Sequence, residues 1–236
     1  MGSGIAQVMA TAGYETVCYD LDPGALERAL DHVTHGRYGF ERGVERAKMS
    51  RADADAALAR LTFTSSFDEA AAVDLVVEAV PEKLELKQQV FRDLEAAAPA
   101  ATILASNTSG FPIAQLAEVT SRPALVIGWH WASPPVVMRL AEIVRAPGTS
   151  DATVDTVTEV AAACGKNPVV IHDTTTTWGF VANRVYFAMI QEANRVVEEG
   201  IATREQVDTL MVDCFNWPVG PYGMTRGATS GWDKPT

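Results

Sequence analysis

The sequence predicts an α/β fold, a mostly parallel sheet domain with crossover helices followed by a smaller all-helical C-terminal domain. Three observations carry this. Over the first three-quarters of the 236 residues, short apolar runs alternate with amphipathic stretches, the pattern of strands joined by helices. After Asp173 the strand-like runs stop and two helical patterns follow. With 47% apolar and 21% charged residues the composition is that of a folded globular chain, which excludes disorder and collagen-like repeats.

Taken in order, the glycine-rich start runs into a helix over Ile5–Ala12, and Glu15–Tyr19 reads as a strand. Asp22-Pro23 is a helix start signal, and one long helix is expected from Pro23 through Lys48, followed by another over Arg51–Leu58. Further strands are expected at Leu61–Thr64, Asp74–Ala79, Thr102–Ala105, Leu125–Gly128, Leu140–Val144 and Pro168–Ile171, with helices at Leu84–Ala97, Ile113–Val119 and Ser150–Cys164. Thr149-Ser150-Asp151 opens the last of these, and Gly165 closes it where a left-handed cap is needed. Thr174–Thr177 reads as a connecting loop, so the expected domains are 1–173 and 174–236. Helices Phe180–Glu199 and Arg204–Phe215, separated by Gly200, form the second, with no element expected in the Gly- and Pro-rich tail from Pro218. Two helices bury too little by themselves, so they are expected to pack on the sheet domain or on another chain.

Nineteen Lys and Arg against thirty Asp and Glu give a net charge of −11, and no basic stripe offsets it, so a nucleic-acid partner is not expected. The apolar runs are far shorter than the roughly 20 residues of a bilayer span, and no leader pattern opens the chain, so a soluble cytoplasmic protein is expected. The three cysteines, Cys18, Cys164 and Cys214, are far apart and fit buried thiols in a reducing compartment. No metal site is expected; His32, His35 and Asp31 are a weak cluster on an exposed helix.

Gly2-Ser3-Gly4 precedes a helix, and Asp20 closes the following strand. Glycines ahead of a helix let a diphosphate reach its N-terminal amides, and an acid about 20 residues on hydrogen-bonds a ribose diol. Only half of that signature is visible: the preceding strand and the first two glycines of a GxGxxG pattern are not in the chain, and Gly2 stands as the third. Alone, the glycines read equally as a flexible helix start, and Asp20 as a turn aspartate before Asp22-Pro23. If Asp20 holds a ribose, its charge repels a 2′-phosphate and no Arg or Lys follows nearby, which favours NAD over NADP.

More specific blocks follow. They are Asp74-Leu-Val-Val-Glu-Ala-Val-Pro-Glu82-Lys-Leu-Glu-Leu-Lys87, Ser106-Asn-Thr-Ser109, Gly128-Trp-His130-Trp-Ala-Ser-Pro-Pro, Leu140-Ala-Glu142-Ile-Val, Gly165-Lys-Asn-Pro, Gly179-Phe-Val-Ala-Asn183-Arg and Trp217-Pro-Val-Gly-Pro-Tyr222. In this order and spacing they resemble the L-3-hydroxyacyl-CoA dehydrogenase family, including its 3-hydroxybutyryl-CoA members, over nearly the whole chain. The resemblance implies a Rossmann-like domain and an NAD-dependent oxidoreductase interconverting (S)-3-hydroxyacyl-CoA and 3-oxoacyl-CoA, as in fatty-acid β-oxidation. It implies His130 as the catalytic histidine, Glu142 as its paired acid, and Ser109 and Asn183 as hydrogen-bonding groups near the reacting oxygen and thioester. It further implies Glu82, Lys87 and Asn107 on the nicotinamide-ribose side, Gly2 and Asp20 at the diphosphate and adenosine ribose, and a homodimer made through the helical domain.

The residue types make chemical sense. Removing an alcohol O–H proton as hydride leaves carbon suits a histidine, which titrates near neutral pH. His130 is placed just beyond its strand, and Glu142 lies inside an apolar run, where a carboxylate needs a partner. Plainer readings stand beside these: His130 as a packed core histidine between Trp129 and Trp131, Ser109 as a cap for the helix after Pro112, Asn183 and Lys87 as solvated residues. Arg37, Arg42, Arg46 and Lys48 form a locally basic stretch with Arg42 and Arg46 one turn apart, either a contact for CoA phosphates or a solvated surface.

The chain departs from the family pattern in three places. The opening strand is missing, which predicts an open slot in the sheet. His-Phe-Phe-Asn-Pro becomes His130-Trp-Ala-Ser133-Pro, and the Asp-Thr-Pro-Gly-Phe hinge becomes the longer Asp173-Thr-Thr-Thr-Thr-Trp178-Gly-Phe. Set against the family, the chain is expected to be short at its first strand and at its helical end. Two other readings remain, a dehydrogenase of a small non-CoA hydroxy acid (gulonate-type) and a non-catalytic relative kept as an interaction protein.

Overall fold

The computed structural model describes residues 1–174 and 178–225. The chain divides into two compact units, the first ending at Trp178 and the second beginning at Gly179. The first opens with α1 (Gly2–Thr11), β1 (Thr16–Tyr19), α2 (Pro23–His35), α3 (Phe40–Glu45), α4 (Arg51–Ala59), β2 (Leu61–Thr64) and α5 (Phe67–Ala71). It continues with β3 (Leu75–Glu78), α6 (Leu84–Ala97), β4 (Ile103–Ser106), α7 (Ile113–Ala117), β5 (Val126–Trp131), β6 (Leu140–Arg145), α8 (Asp151–Ala163) and β7 (Asn167–His172).

The described strands make two sheets. β1 and β2 pair with each other, while the other five run in the order β3-β4-β5-β6-β7. Every pairing is parallel except β5 with β6, which is antiparallel. The residues of β1 are only half-buried, whereas β4 and β5 are buried throughout, as befits strands with neighbours on both sides. The core joins Ile5 and Val8 of α1, Ile127, Trp129 and Trp131 of β5, Ala141 and Ile143 of β6, and Val154, Val157 and Ala161 of α8. A second cluster, Val33, Phe40, Ala54 and Ala57, packs α2, α3 and α4 together.

Local chemistry explains the boundaries. Asp22 caps α2, its carboxylate accepting from the Gly24 amide at 2.9 Å ahead of Pro23. Ser150 caps α8 by accepting from Thr153 N, and Gly165 follows that helix at φ +70° as expected. The single helix expected over Pro23–Lys48 is corrected to two. A Cβ on Gly36 would lie 2.3 Å from the His32 carbonyl oxygen and one on Gly39 2.7 Å from that of Thr34, so the backbone doubles back where only glycine fits. Arg46 caps the C-terminal end of α3, its amide donating to the Arg42 carbonyl at 3.2 Å, and Lys48 lies past a left-handed turn at Ala47.

β5 also differs from expectation. A short 3-10 turn occupies Pro123–Leu125, and the strand extends to Trp131, so His130 lies within it rather than beyond it. Antiparallel pairing with β6 from Gly128 to Trp131 is what holds the Trp-His-Trp segment extended. The short α5 was not foreseen; Ser66 caps it by accepting from Glu69 N at 3.3 Å.

The second unit contains α9 (Val181–Glu198), α10 (Arg204–Phe215) and α11 (Pro221–Met224). Thr203 and Gln206 form a reciprocal capping box on α10. The tail was expected to hold no element, yet Asp208 accepts from the amides of Tyr222 and Gly223 at 2.7 and 2.9 Å and so starts α11. Gly220 is required there, because a Cβ would meet the Asp208 Cα at 2.4 Å. The rest of that tail, from residue 226, and Thr175–Thr177 of the expected loop lie outside the described residues.

One cap reaches across the first unit. α7 begins after Pro112, and its first amides, Ile113 N and Ala114 N, donate to the Asp173 carboxylate at 3.0 and 2.7 Å. The cap for which Ser109 was one reading is thus supplied by a residue beyond β7. Replacing Asp173 with Ala is expected to cost about 1–2 kcal/mol, read as a lower urea midpoint at unchanged slope, whereas Asp173→Asn keeps part of it. An unchanged midpoint in the Ala variant would show that the cap contributes nothing.

Candidate active site

The antiparallel register of β5 and β6 sets His130 directly opposite Glu142. Directly opposed residues share one face of a sheet with their Cβ atoms about 5 Å apart, and here His130 Nδ1 lies 2.6 Å from Glu142 Oε2. Both residues are buried. A carboxylate can only accept, so Nδ1 is the donor, and in the neutral imidazole that leaves the lone pair on Nε2. The twelve-residue spacing of the pair is therefore the length of a hairpin. Trp129 and Trp131 alternate to the other face, their rings 4.8 Å apart in the core.

The hairpin connection is held from behind. Lys166 donates to the carbonyls of Pro135 and Met138, the latter at 2.8 Å, and its ammonium lies 5.1 Å from the centre of the Trp131 ring. Burial pushes the Lys166 ammonium below the usual lysine range, and pushes the neighbouring Cys164 thiol up to about 11. Asn167 N adds a bond to Arg139 O at 2.8 Å. These contacts give Lys166 and Asn167 a part in holding the hairpin that carries His130 and Glu142.

Beside β5, the segment after β4 carries Asn107 and Ser109. Asn107 Oδ1 accepts from Trp131 N at 2.9 Å, tying it to the strand of His130. Glu82 Oε1 accepts from Thr108 Oγ1 at 2.6 Å and from Ser109 N at 2.9 Å. Lys87 is only 1% exposed; its ammonium donates to Glu78 Oε1 at 2.8 Å and Val80 O at 3.2 Å, and pairs with Glu82 Oε2 at 3.2 Å. The structure thus brings together His130 with Glu142 and Asn107, and Glu82 with Lys87 and Ser109. Asn183 lies in the first turn of α9, in the second unit.

The remaining predicted contacts are at helix and strand ends. Gly2 opens α1, where Met1 supplies no capping side chain, and a Cβ on Gly2 would lie 3.8 Å from that of Ala79, just past β3. Asp20 follows β1, exposed, with Oδ1 accepting from Asp22 N at 3.0 Å; a carboxylate has acceptor sites for both this turn and a diol. A helix N-terminus without a capping side chain, an exposed carboxylate at a strand end, and the half-buried Asn107 are the donor and acceptor types that a dinucleotide needs, and the residues present fit one. Arg42 pairs with Glu45 at 2.7 Å, and Lys48 is exposed.

Sequence reading missed three residues that organise the site: Glu78, Lys166 and Asp173. Glu78 stood among several acids of one motif, and its only distinguishing signal was its position inside an apolar run, the argument that singled out Glu142.

A family model described as the NAD binding domain of 3-hydroxyacyl-CoA dehydrogenase matches residues 1–174, and the model of its C-terminal domain matches 179–233. A probable 3-hydroxybutyryl-CoA dehydrogenase of Bacillus subtilis is 38% identical over 224 residues, 95% of this chain and 76% of that protein. The crystal structure of an (S)-3-hydroxybutyryl-CoA dehydrogenase from Ralstonia eutropha superposes with a TM-score of 0.88 at 36% identity, covering 94% of this chain and 76% of that one. A 5-formyl-3-hydroxy-2-methylpyridine 4-carboxylate 5-dehydrogenase of Mesorhizobium japonicum is 33% identical over 221 residues, 93% of this chain and 68% of that protein.

Lys87→Met removes the cation from a pair in which both side chains are 1% exposed, leaving Glu78 without its buried counter-ion. The expected loss of stability is about 3–5 kcal/mol, measured by denaturant unfolding. A loss below about 1 kcal/mol would mean that water reaches the carboxylate.

Proposed function

The chain belongs to the 3-hydroxyacyl-CoA dehydrogenase family, as an NAD-dependent oxidoreductase; on that premise we propose that His130 is its general acid–base and Glu142 the residue that orients it. The observation that carries this reading is the 2.6 Å contact between His130 Nδ1 and Glu142 Oε2. In the oxidation of an (S)-3-hydroxyacyl-CoA, Nε2 takes the hydroxyl proton, and the imidazolium that forms is stabilised by the carboxylate against Nδ1. Bound NAD supplies the hydride acceptor. In the reverse direction Nε2–H returns the proton to the 3-oxo oxygen. Ser109 and Asn183 hydrogen-bond the substrate near the reacting oxygen and the thioester, and Glu82 fixes the Ser109 backbone by accepting its amide at 2.9 Å.

Gly2 and the first amides of α1 hold the diphosphate, Asp20 the adenosine ribose, and Glu82, Lys87 and Asn107 the nicotinamide side, Lys87 acting through the carboxylates that surround it. Arg42, Arg46 and Lys48 offer charge-assisted bonds to CoA phosphates, with Glu45 competing for Arg42. Exposed apolar residues such as Val185, Phe187 and Leu210 on α9 and α10 support a homodimer made through the second unit. Among the described residues no helix is long and apolar enough to cross a membrane, and a cytoplasmic location fits the unpaired cysteines.

A second reading, a small non-CoA substrate, draws support from the likeness to the Mesorhizobium enzyme. NADH oxidation driven by acetoacetyl-CoA is expected, and turnover restricted to free oxo or hydroxy acids would reject the CoA assignment. His130→Gln is expected to lower kcat by about 10²–10⁴-fold while calorimetric NADH affinity stays within about twofold. Near-normal turnover in that variant would remove His130 from the acid–base role.

A further inference from the structure

We propose that Glu78 is a positioning residue for this reaction: its buried carboxylate sets the conformation of Ser106–Ser109 and, through Asn107, the backbone beside His130. The proposal rests on the reading of the site given above.

Glu78 ends β3 opposite Ser106, the last residue of β4, and is 4% exposed. A carboxylate so placed is costly unless its oxygens are satisfied, and both are. Oε1 accepts from Val80 N at 2.7 Å and Lys87 Nζ at 2.8 Å, and Oε2 accepts from Ser106 Oγ at 2.6 Å. Ser106 Oγ in turn accepts from Thr108 N at 3.1 Å, while the Glu78 carbonyl accepts from Asn107 N at 2.8 Å. Lys87 links Glu78 to Glu82, which binds the Thr108 hydroxyl and the Ser109 amide.

The segment therefore has two kinds of residue in alternation. Ser106 and Thr108 are fully buried and bonded to the two carboxylates, whereas Asn107 and Ser109, the residues with roles in the reaction, are half-buried. The first pair anchors and the second is displayed. Because Asn107 Oδ1 holds Trp131 N, one residue from His130, a shift of the anchors reaches the catalytic strand by two bonded steps. A glutamine at 78 has one acceptor oxygen in place of two: with that oxygen toward Lys87 and Val80 N, its amide nitrogen can only donate to Ser106 Oγ, so the contact to Ser106 persists only with its direction reversed and the serine proton displaced.

The test compares Glu78→Gln, and the double variant Glu78→Gln/Lys87→Met that removes both buried charges together, with the unmodified chain. Two quantities are read: amide hydrogen exchange of the peptide spanning 106–111 without cofactor, and kcat and KM for acetoacetyl-CoA. Expected in Glu78→Gln are exchange faster by about tenfold or more in that peptide with β6 and β7 unchanged, and kcat lower by about 10–100-fold with a pH profile of unaltered shape. Exchange in 106–111 within twofold of the unmodified chain overturns the proposal, as does a rise spread evenly over the first unit. Should Glu78→Gln fail to fold, the folded double variant decides by the same exchange criterion, and loss of folding in both assigns Glu78 to general stability and overturns the positioning role. An unmodified chain inactive on acetoacetyl-CoA refutes the proposed function separately, and the exchange comparison still stands.

Discussion

The structure turns on one reversal of strand direction. In a sheet otherwise parallel, β5 and β6 run antiparallel, and only that arrangement lets a twelve-residue separation return a glutamate to the exact level of a histidine one strand away. Everything near the pair serves to keep that register. The Trp rings fill the opposite face, Lys166 and Asn167 hold the connecting segment, and β7 pairs along the whole outer side of β6. A slip of one residue would turn either side chain to the other face.

Charge is handled in a consistent way. Among the described residues, the buried acids of the first unit, Glu78 and Glu142, each sit on a strand and each pair with a nitrogenous side chain. For Glu142 that partner is the histidine proposed as acid–base; for Glu78 it is a lysine sealed from solvent that ties two carboxylates together. Replacing such pairs by apolar residues is often neutral or stabilising in a protein core, so stability alone is a weak reason for their presence. What the ionic groups add is geometry, because Glu142 Oε2 and both oxygens of Glu78 fix specific donors.

How much of this was legible depended on distance along the chain. Apart from the start of α1, β5 and the α2–α3 segment, the expected strands and helices, with the caps at Asp22 and Ser150 and the glycine after α8, are local features with local signals, and they lie within a residue or two of where periodicity places them. The His130–Glu142 pair was legible through the family resemblance, and the place of Glu142 in an apolar run added that this acid needs a partner. The break between α2 and α3 was not, since Gly36 and Gly39 are each tolerable in a helix and become decisive only when the backbone folds back. Asp173 capping a helix sixty residues earlier has no local signal at all. Glu78 was hidden by company: with Glu82 and Glu85 close by, nothing in the spacing says which acid faces inward.

The division of the strands into a pair and a set of five bears on how the first unit loses structure when warmed. A lone two-stranded ribbon is marginal in water and depends on the helices packed against it, whereas the five-stranded layer has fully enclosed central strands. Softening should therefore begin around β1 and β2 and spread from there, so that the end bearing Asp20 melts while the histidine and its glutamate are still in place. Asp20 and the His130–Glu142 pair would then lose their surroundings at different temperatures within one polypeptide.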